Sequence, residues 1–356
     1  RSEPFSGILV RYDAETVLST QADQAMAKSP QASQPLLPQV GFIGAGNFAQ
    51  NMLLPKLKGI CELAAVAAAQ GVQSRDVADK YGFAACYASG DELLQDERVN
   101  TVFIVTRHHT HGEFVLKALA TGKHVFVEKP LAMTLDELEE IRRSYVLLPQ
   151  ELKLMVGFNR RFAPAILEAE KLFAAEQKKA ILIRVNAGAL PPDHWTNDPE
   201  IGGGRIIGEA CHFVDLAMAL AKSPIVSVTA EAVDDGAKLR DSLTINLAFA
   251  DGSIASVVYL TNGNQSLAKE HIEIHSSGVS AVIHDFREMT IHGKSSRRIR
   301  FKGQDKGHAE ELRRFIAAVK DGLPNPIPFA ESYCSMKATF LSLESLRTGR
   351  RLLVRR

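Results

Sequence analysis

Lys129 stands between Glu128 and Pro130, directly after the apolar run Val125-Phe126-Val127 and the helix stop at Gly122. That order places an ammonium group at the carboxyl end of a buried strand, where open α/β sheets hold their ligands. Such a lysine can polarise an oxygen and, if burial lowers its pKa, join a proton relay. His212 is the second group with useful chemistry. On a helix, residues three apart share a face, so Glu209, His212 and Asp215 form a polar strip amid Phe213, Val214 and Leu216. An acidic neighbour there would orient the imidazole and raise its pKa, as an acid/base role asks.

Gly44-Ala45-Gly46-Asn47-Phe48-Ala49 follows an apolar strand and opens a helix. It has the G-x-G-x-x-A form of a dinucleotide turn: Gly44 for the tight turn, Gly46 for close backbone approach, Ala49 for helix–strand packing. Unpaired N–H groups at the helix start would receive a pyrophosphate. Hydride transfer between a carbinol and a nicotinamide then needs a proton acceptor and a stabiliser of charge on oxygen. Lys129, His212 and Glu209 are the candidates. NAD sites carry Asp or Glu near the end of the second strand, but here Ala67-Ala68-Ala69-Gln70-Gly71 is followed by Ser74 and Arg75. With no carboxylate to repel a 2′-phosphate, NADP is favoured over NAD.

Thr106, Arg107, His108 and His111 fall at a strand-to-helix turn above the same cleft, and with Glu128 and Lys129 they are expected beside the cofactor. His108, His109 and His111 have no carboxylate or cysteine at ligand spacing, so no metal is assigned. Asn159 and Arg160 follow the last strand of the first domain and are read as substrate contacts. Trp195, the single tryptophan, could stack on a sugar ring beside His194, and Arg205 could grip an anionic substituent bidentately. Arg161 is as readily a structural residue as a contact in the cleft.

The elements that must position these groups change character along the chain. From Val40 to Val156 strands alternate with helices, which predicts a Rossmann-like, doubly wound parallel sheet. Capping boxes are expected at Ser89/Glu92 and Thr134/Glu137, an N-cap at Thr110, and a bend at Pro55. After Phe158 strand-like runs dominate, with a hairpin at Asp251-Gly252, so the remainder reads as an α+β domain with a large, mostly antiparallel open sheet. Its uncovered face hints at a homo-oligomer, a dimer or tetramer. The division is a stub and linker at 1–38, the dinucleotide domain at 39–158 and a substrate and oligomerisation domain at 159–356. Phe5–Tyr12 looks like a strand, and Ser19–Pro38 has linker composition.

Formal net charge of +1 on 356 residues gives no field that would draw nucleic acid or a membrane surface. No apolar run is long enough to span a bilayer. Four scattered cysteines form no C-x-x-C pair, and with no signal peptide visible the expectation is a cytoplasmic protein.

Taken together, residues 41–49, Thr106 with His111, GKHVFVEKPLA at 122–132, VGFNRRF at 156–162 and the run from Gly202 to Leu216 resemble the glucose–fructose oxidoreductase/inositol dehydrogenase/MocA (Gfo/Idh/MocA) family. The resemblance covers nearly everything after Pro38. It implies NAD(P)-dependent dehydrogenase or reductase chemistry at a hydroxyl or keto group of a sugar or nucleotide-sugar. It also marks Lys129 and His212 as catalytic. Many members carry Asp at the position of Gly208, and Glu209 could take over that role. Two further readings stay open: a non-catalytic NAD(P)/sugar sensor, and a redox-neutral epimerase or glycosidase with internally cycled NAD. The stub resembles the tail of a zinc-type alcohol dehydrogenase domain, as in bi-domain proteins linked to surface polysaccharide synthesis, and so implies an upstream domain in a longer polypeptide.

Overall fold

The computed structural model describes residues 38–68, 71–148, 152–174, 176–234 and 240–355. The stub, most of the linker and the Ala69-Gln70 pair lie outside these residues.

The first half builds one parallel sheet from β1 (Gln39–Ile43), β2 (Glu62–Ala67), β3 (Ala85–Tyr87), β4 (Thr101–Ile104), β5 (His124–Val127) and β6 (Leu154–Val156), in the order β3-β2-β1-β4-β5-β6. β4, β5 and β6 are almost wholly buried, which is why they read as continuous apolar runs rather than alternating ones. The strand order reverses between β1 and β4, and the crevice beyond those strand ends is where such folds bind ligands.

Helices α1 (Leu54–Leu57), α2 (Gly71–Tyr81), α3 (Gly90–Leu94), α4 (His111–Ala120) and α5 (Leu135–Val146) connect the strands. Ser89 Oγ accepts the Glu92 N–H at 3.2 Å, and Thr134 Oγ1 accepts that of Glu137 at 3.1 Å. Thr110 does not cap α4 with its side chain. Its hydroxyl donates to Arg107 O at 3.0 Å and lies 2.7 Å from Thr106 Oγ1, binding the turn to itself. Before α1 the chain makes a π turn at Ala49–Leu53, widening just ahead of Pro55, whose missing N–H cannot join a regular ladder.

The second half contains α6 (Pro164–Glu170), β7 (Ala180–Asn186), α7 (Cys211–Ala221), β8 (Ile225–Ala232), β9 (Leu243–Phe249), β10 (Ile254–Leu260), β11 (Glu270–Ser276), β12 (Val279–His284), β13 (Glu288–His292), β14 (Arg297–Arg300), α8 (His308–Lys320), α9 (Phe329–Thr348) and β15 (Leu352–Leu353). Nine strands run in the order β14-β13-β12-β11-β7-β10-β9-β8-β15, antiparallel except where β10 pairs with β7. Asp251-Gly252 turns the β9–β10 hairpin, with Gly252 at φ +90°. Ile183, Val257 and Ile272 point into the core beneath α7, while Leu182, Val258 and Glu273 on the same strands stay partly exposed.

The cores do not divide at residue 158. α8 returns to the first sheet and buries Leu312, Phe315 and Ile316 there, with Phe315 meeting Phe103 and Phe126 edge-on at 5.7 and 5.6 Å between ring centres. Among the described residues no helix is long and apolar enough to cross a membrane.

Candidate active site

The chain leaves β5 through Glu128 and crosses a cis peptide from Lys129 to Pro130. Lys129 Nζ reaches into the second half and donates to the carbonyl oxygen of Gly208 at 2.9 Å. Glu128 is buried beneath it, tight against Gly157, where a Cβ would come within 2.9 Å of Glu128 Oε1. Burial pushes the Glu128 carboxyl up to about 7, against the opposing pull of Lys129.

Lys129 opens onto a cleft of about 310 Å³, small-molecule size. Asn159, Arg160, Trp195, Glu209 and His212 line it, with Phe48 and His108 on the side of the first sheet. A larger cavity of about 720 Å³, walled by Arg161, Phe162, Met218, Phe329 and Tyr333, holds none of these groups and is not the candidate site.

His212 sits in this cleft at the start of α7, almost fully buried. Its Nδ1 is buried without a hydrogen-bond partner, which leaves Nε2 as the nitrogen facing the cleft. Burial, then Arg160 and Lys129, hold its pKa well below the ordinary histidine value. This reverses the expectation of an acid-raised imidazole. Asp215 turns away to a bidentate pair with Arg161, 2.7 Å to each oxygen, and accepts from Ser335. Arg161 is thereby structural.

Glu209 also departs from the expected strip. Residues Ile206–Ala210 form a π turn ahead of α7, so the three-residue spacing no longer puts Glu209 beside His212. Its carboxylate accepts the Tyr259 hydroxyl at 2.7 Å and lies 3.3 Å from Arg205 Nε. Burial works against its charge, but Arg205, Lys269 and Tyr259 outweigh it and hold Glu209 down at about 2. Glu209 lines the cleft as a fixed anion, and a proton acceptor at neutral pH it is not. The room an aspartate would take at 208 is filled by His108, because a Cβ on Gly208 would fall 2.7 Å from His108 Cε1.

His108 Nδ1–H donates to Gly202 O at 2.8 Å, and the ring meets Trp195 edge-on at 4.7 Å. The Arg107 guanidinium lies 5.8 Å from the Trp195 ring centre. Burial and then Lys129 lower His108 to about 3, so this ring is neutral. His111 is fully buried, which removes it as a direct cofactor contact. Its Nδ1 lies 2.7 Å from Pro130 O and its Nε2 3.1 Å from Thr106 O, so it ties the end of β4 to the Lys129 segment.

Other expected contacts land elsewhere. His194 lies on a shallow outer depression and caps the turn at Trp195–Asn197, accepting the Thr196 N–H at 3.3 Å. Arg205 is buried behind Glu209 and donates to Gly188 O at 2.5 Å, so it faces no ligand. Arg160 reaches the cleft but is already paired with Glu270 at 2.8 Å, and Asn159 donates to Lys306 O at 2.7 Å. Ser74 is buried, and its Oγ accepts the Ala68 N–H at 2.8 Å. Arg75 is exposed and pairs along its own helix with Asp79 at 3.3 Å. Sequence reasoning missed Lys269, just before β11, and Lys306 and His308, at the start of α8, which join the cleft from two distant parts of the chain and carry no local motif.

The glycine turn fits a dinucleotide. Gly44 has φ +91°, and a Cβ there would lie 2.5 Å from Val105 O, so only glycine is accommodated. A Cβ on Gly46 would meet nothing within 4 Å: the turn keeps open space above its backbone. Asn47 and Phe48 are exposed at the start of the helix, where first-turn N–H groups lack intrahelical partners. Among the described residues no group of three His, Cys, Asp or Glu side chains is placed to hold a metal ion.

Residues 39–158 match the model of an oxidoreductase family with an NAD-binding Rossmann fold, and residues 179–282 match the GFO/IDH/MocA C-terminal domain. The chain belongs to the Gfo/Idh/MocA family of oxidoreductases. It is 27% identical over 208 residues to D-xylose 1-dehydrogenase (NADP(+)) 2 of Haloferax volcanii, a match covering 57% of this chain and 63% of that one. It is 24% identical over 339 residues to myo-inositol 2-dehydrogenase of Thermotoga maritima, covering 88% and 97%. Levoglucosan dehydrogenase, solved with NADH and levoglucosan, shares the fold with a TM-score of 0.78 at 21% identity, over 90% of this chain and all of that one.

Proposed function

We propose that this chain interconverts a hydroxyl and a keto group on a sugar-like substrate with NAD(P), using Lys129 and His212 at one cleft. The observation that carries the reading is their convergence: Lys129 arrives from the end of β5 and His212 from the start of α7, and both open onto the same cavity as Trp195. The turn Gly44–Phe48 would hold the cofactor phosphates, with Thr106, Arg107, His108 and Glu128 along the strand ends nearer the reacting end. When bound, the nicotinamide supplies or accepts the hydride.

Lys129 Nζ keeps donors beyond the one given to Gly208 O, and these can hold the substrate oxygen and stabilise the charge that grows on it. His212, kept neutral, can take the hydroxyl proton on Nε2 during oxidation. Glu209 holds Tyr259 and Arg205 in place behind them. Names of relatives that act on xylose and myo-inositol support a polyol or sugar substrate.

The partly exposed sheet face at Leu182, Val258 and Glu273 supports assembly into a homo-oligomer. The scattered cysteines, which form no C-x-x-C pair, support a reducing, cytoplasmic location. The likeness of Phe5–Tyr12 to an alcohol dehydrogenase tail supports a linked upstream domain, which sequencing the reading frame would test.

A screen of sugars and polyols against NAD+ and NADP+, followed by nicotinamide absorbance, tests the activity. Turnover with net reduction of cofactor is expected. Cofactor that co-purifies, is never released and never changes its net redox state would favour the redox-neutral reading instead.

A further inference from the structure

We propose that the substrate is a sugar acid whose carboxylate is held by Lys269, on the cleft wall that Glu209 and Tyr259 build. The word substrate rests on the oxidoreductase reading above; the binding itself does not.

Lys269 directly precedes β11, and its side chain lines the cleft with 39% of its surface exposed. The nearest carboxylate oxygen, Glu209 Oε2, is 3.8 Å away, beyond hydrogen-bond reach. Glu209 is already satisfied by the Tyr259 hydroxyl and Arg205. Among the described residues the Lys269 ammonium therefore has no hydrogen-bond acceptor, although burial already disfavours its charge. A half-desolvated ammonium with idle donors is stabilised by an incoming anion.

The surroundings add to the bias. Arg160 and Lys306 share one carboxylate, Glu270, at 2.8 and 2.9 Å, just as Arg205 and Lys269 share Glu209. Cations therefore outnumber carboxylates along this wall. His212 senses the same excess, since Arg160, Lys129, His308 and Lys269 all disfavour its protonation.

Cofactor phosphates do not account for Lys269. Their place is the glycine turn after β1, whereas Lys269 stands at the second sheet, beside the π turn that carries Glu209. Lys306 is different: its loop leads into α8, which packs against α1 and the π turn before it, so it is left out of the assignment. An ammonium that shares the Glu209 anion with Arg205 suits a monoanionic carboxylate better than a dianionic phosphate.

Trp195, the single tryptophan, lines the same cleft, so its fluorescence reports binding without turnover. D-glucuronate and D-glucose differ only by a carboxylate in place of a hydroxymethyl group. Titrated into the apo chain at neutral pH, glucuronate is expected to bind about tenfold tighter than glucose or better, and tighter than glucose 6-phosphate. Lys269→Met should remove most of that preference, Lys269→Arg should keep it, and neither should weaken NADH. The proposal is overturned if wild type binds glucose as tightly as glucuronate, or prefers the phosphate. It is equally overturned if Lys269→Met keeps the preference or loses NADH instead. A chain that binds no NADH would sink the oxidoreductase reading, while the glucuronate titration would still decide the role of Lys269.

Discussion

Lys129 Nζ is hydrogen-bonded at 2.9 Å to the backbone carbonyl of Gly208, the residue whose position many family members fill with aspartate. The lysine is thus anchored by main chain rather than by a carboxylate. His108 occupies the space that a side chain at 208 would need, 2.7 Å from where its Cβ would stand. The two features form one fitted unit.

Gly208→Ala should therefore displace the His108 ring and disturb the Lys129 anchor, lowering kcat/KM about tenfold or more. The double variant Gly208→Ala, His108→Ala removes the clash and should recover part of that loss. If the double variant is as impaired as the product of the two single losses, the fit between these residues does not matter.

The neutral state of His212 sets the pH dependence. Oxidation needs the unprotonated ring, and burial with nearby cations lowers its pKa well below 6.5. As pH falls through 6.5 the base therefore stays competent, and kcat/KM for oxidation should show no His212 inflection there. Glu128, pushed up to about 7, is the group that titrates in this window. Any inflection near 7 should vanish in Glu128→Gln; one near 6.5 that persists in that variant contradicts the assignment.

Glu209 is held as a structural anion. Glu209→Ala leaves the buried Arg205 guanidinium without its carboxylate. A loss of about 3 kcal/mol is expected, the lower end for breaking a buried pair, because Glu209 is about a quarter exposed. Denaturant unfolding measures this. The surviving folded enzyme should keep the wild-type shape of its pH–rate profile; a profile that loses its acidic limb would restore Glu209 as the proton acceptor.

Much of this was legible in the sequence, for identifiable reasons. β1, β4, β5 and β6 of the first sheet are almost wholly buried, so their apolar runs survive as local signals, as do the capping residues between the strands. β14, reading Arg-Arg-Ile-Arg at the sheet edge, and β13, reading Glu-Met-Thr-Ile-His beside it, went unrecognised because so many of their residues are polar that they look like solvated loop. In the site, Lys129 was marked by its place at a strand end. The strip Glu209–His212–Asp215 was misjudged because helical spacing assumes 3.6 residues per turn, and a π turn shifts that phase at Ile206–Ala210. Arg161 then draws Asp215 the other way, a long-range pairing with no local signature. Lys269, Lys306 and His308 converge only once the second sheet and α8 have folded.

From the lack of a carboxylate at the described end of β2 we propose a preference for NADPH, with Arg75 as a candidate for the 2′-phosphate. Its pair with Asp79 is exposed on both sides and so is easily given up. NADPH should bind tighter than NADH, and Arg75→Ala should weaken NADPH about tenfold, the worth of one charge-assisted hydrogen bond, while sparing NADH. NADH binding much tighter to wild type would reverse this preference.

The central claim is that Lys129 acts on the substrate oxygen from a cleft shared with His212. Its most direct test is Lys129→Met, assayed for sugar turnover and for reduced-cofactor affinity in the same preparation. Turnover should be abolished while the cofactor dissociation constant stays at its wild-type value. Turnover that persists near the wild-type rate would contradict the account.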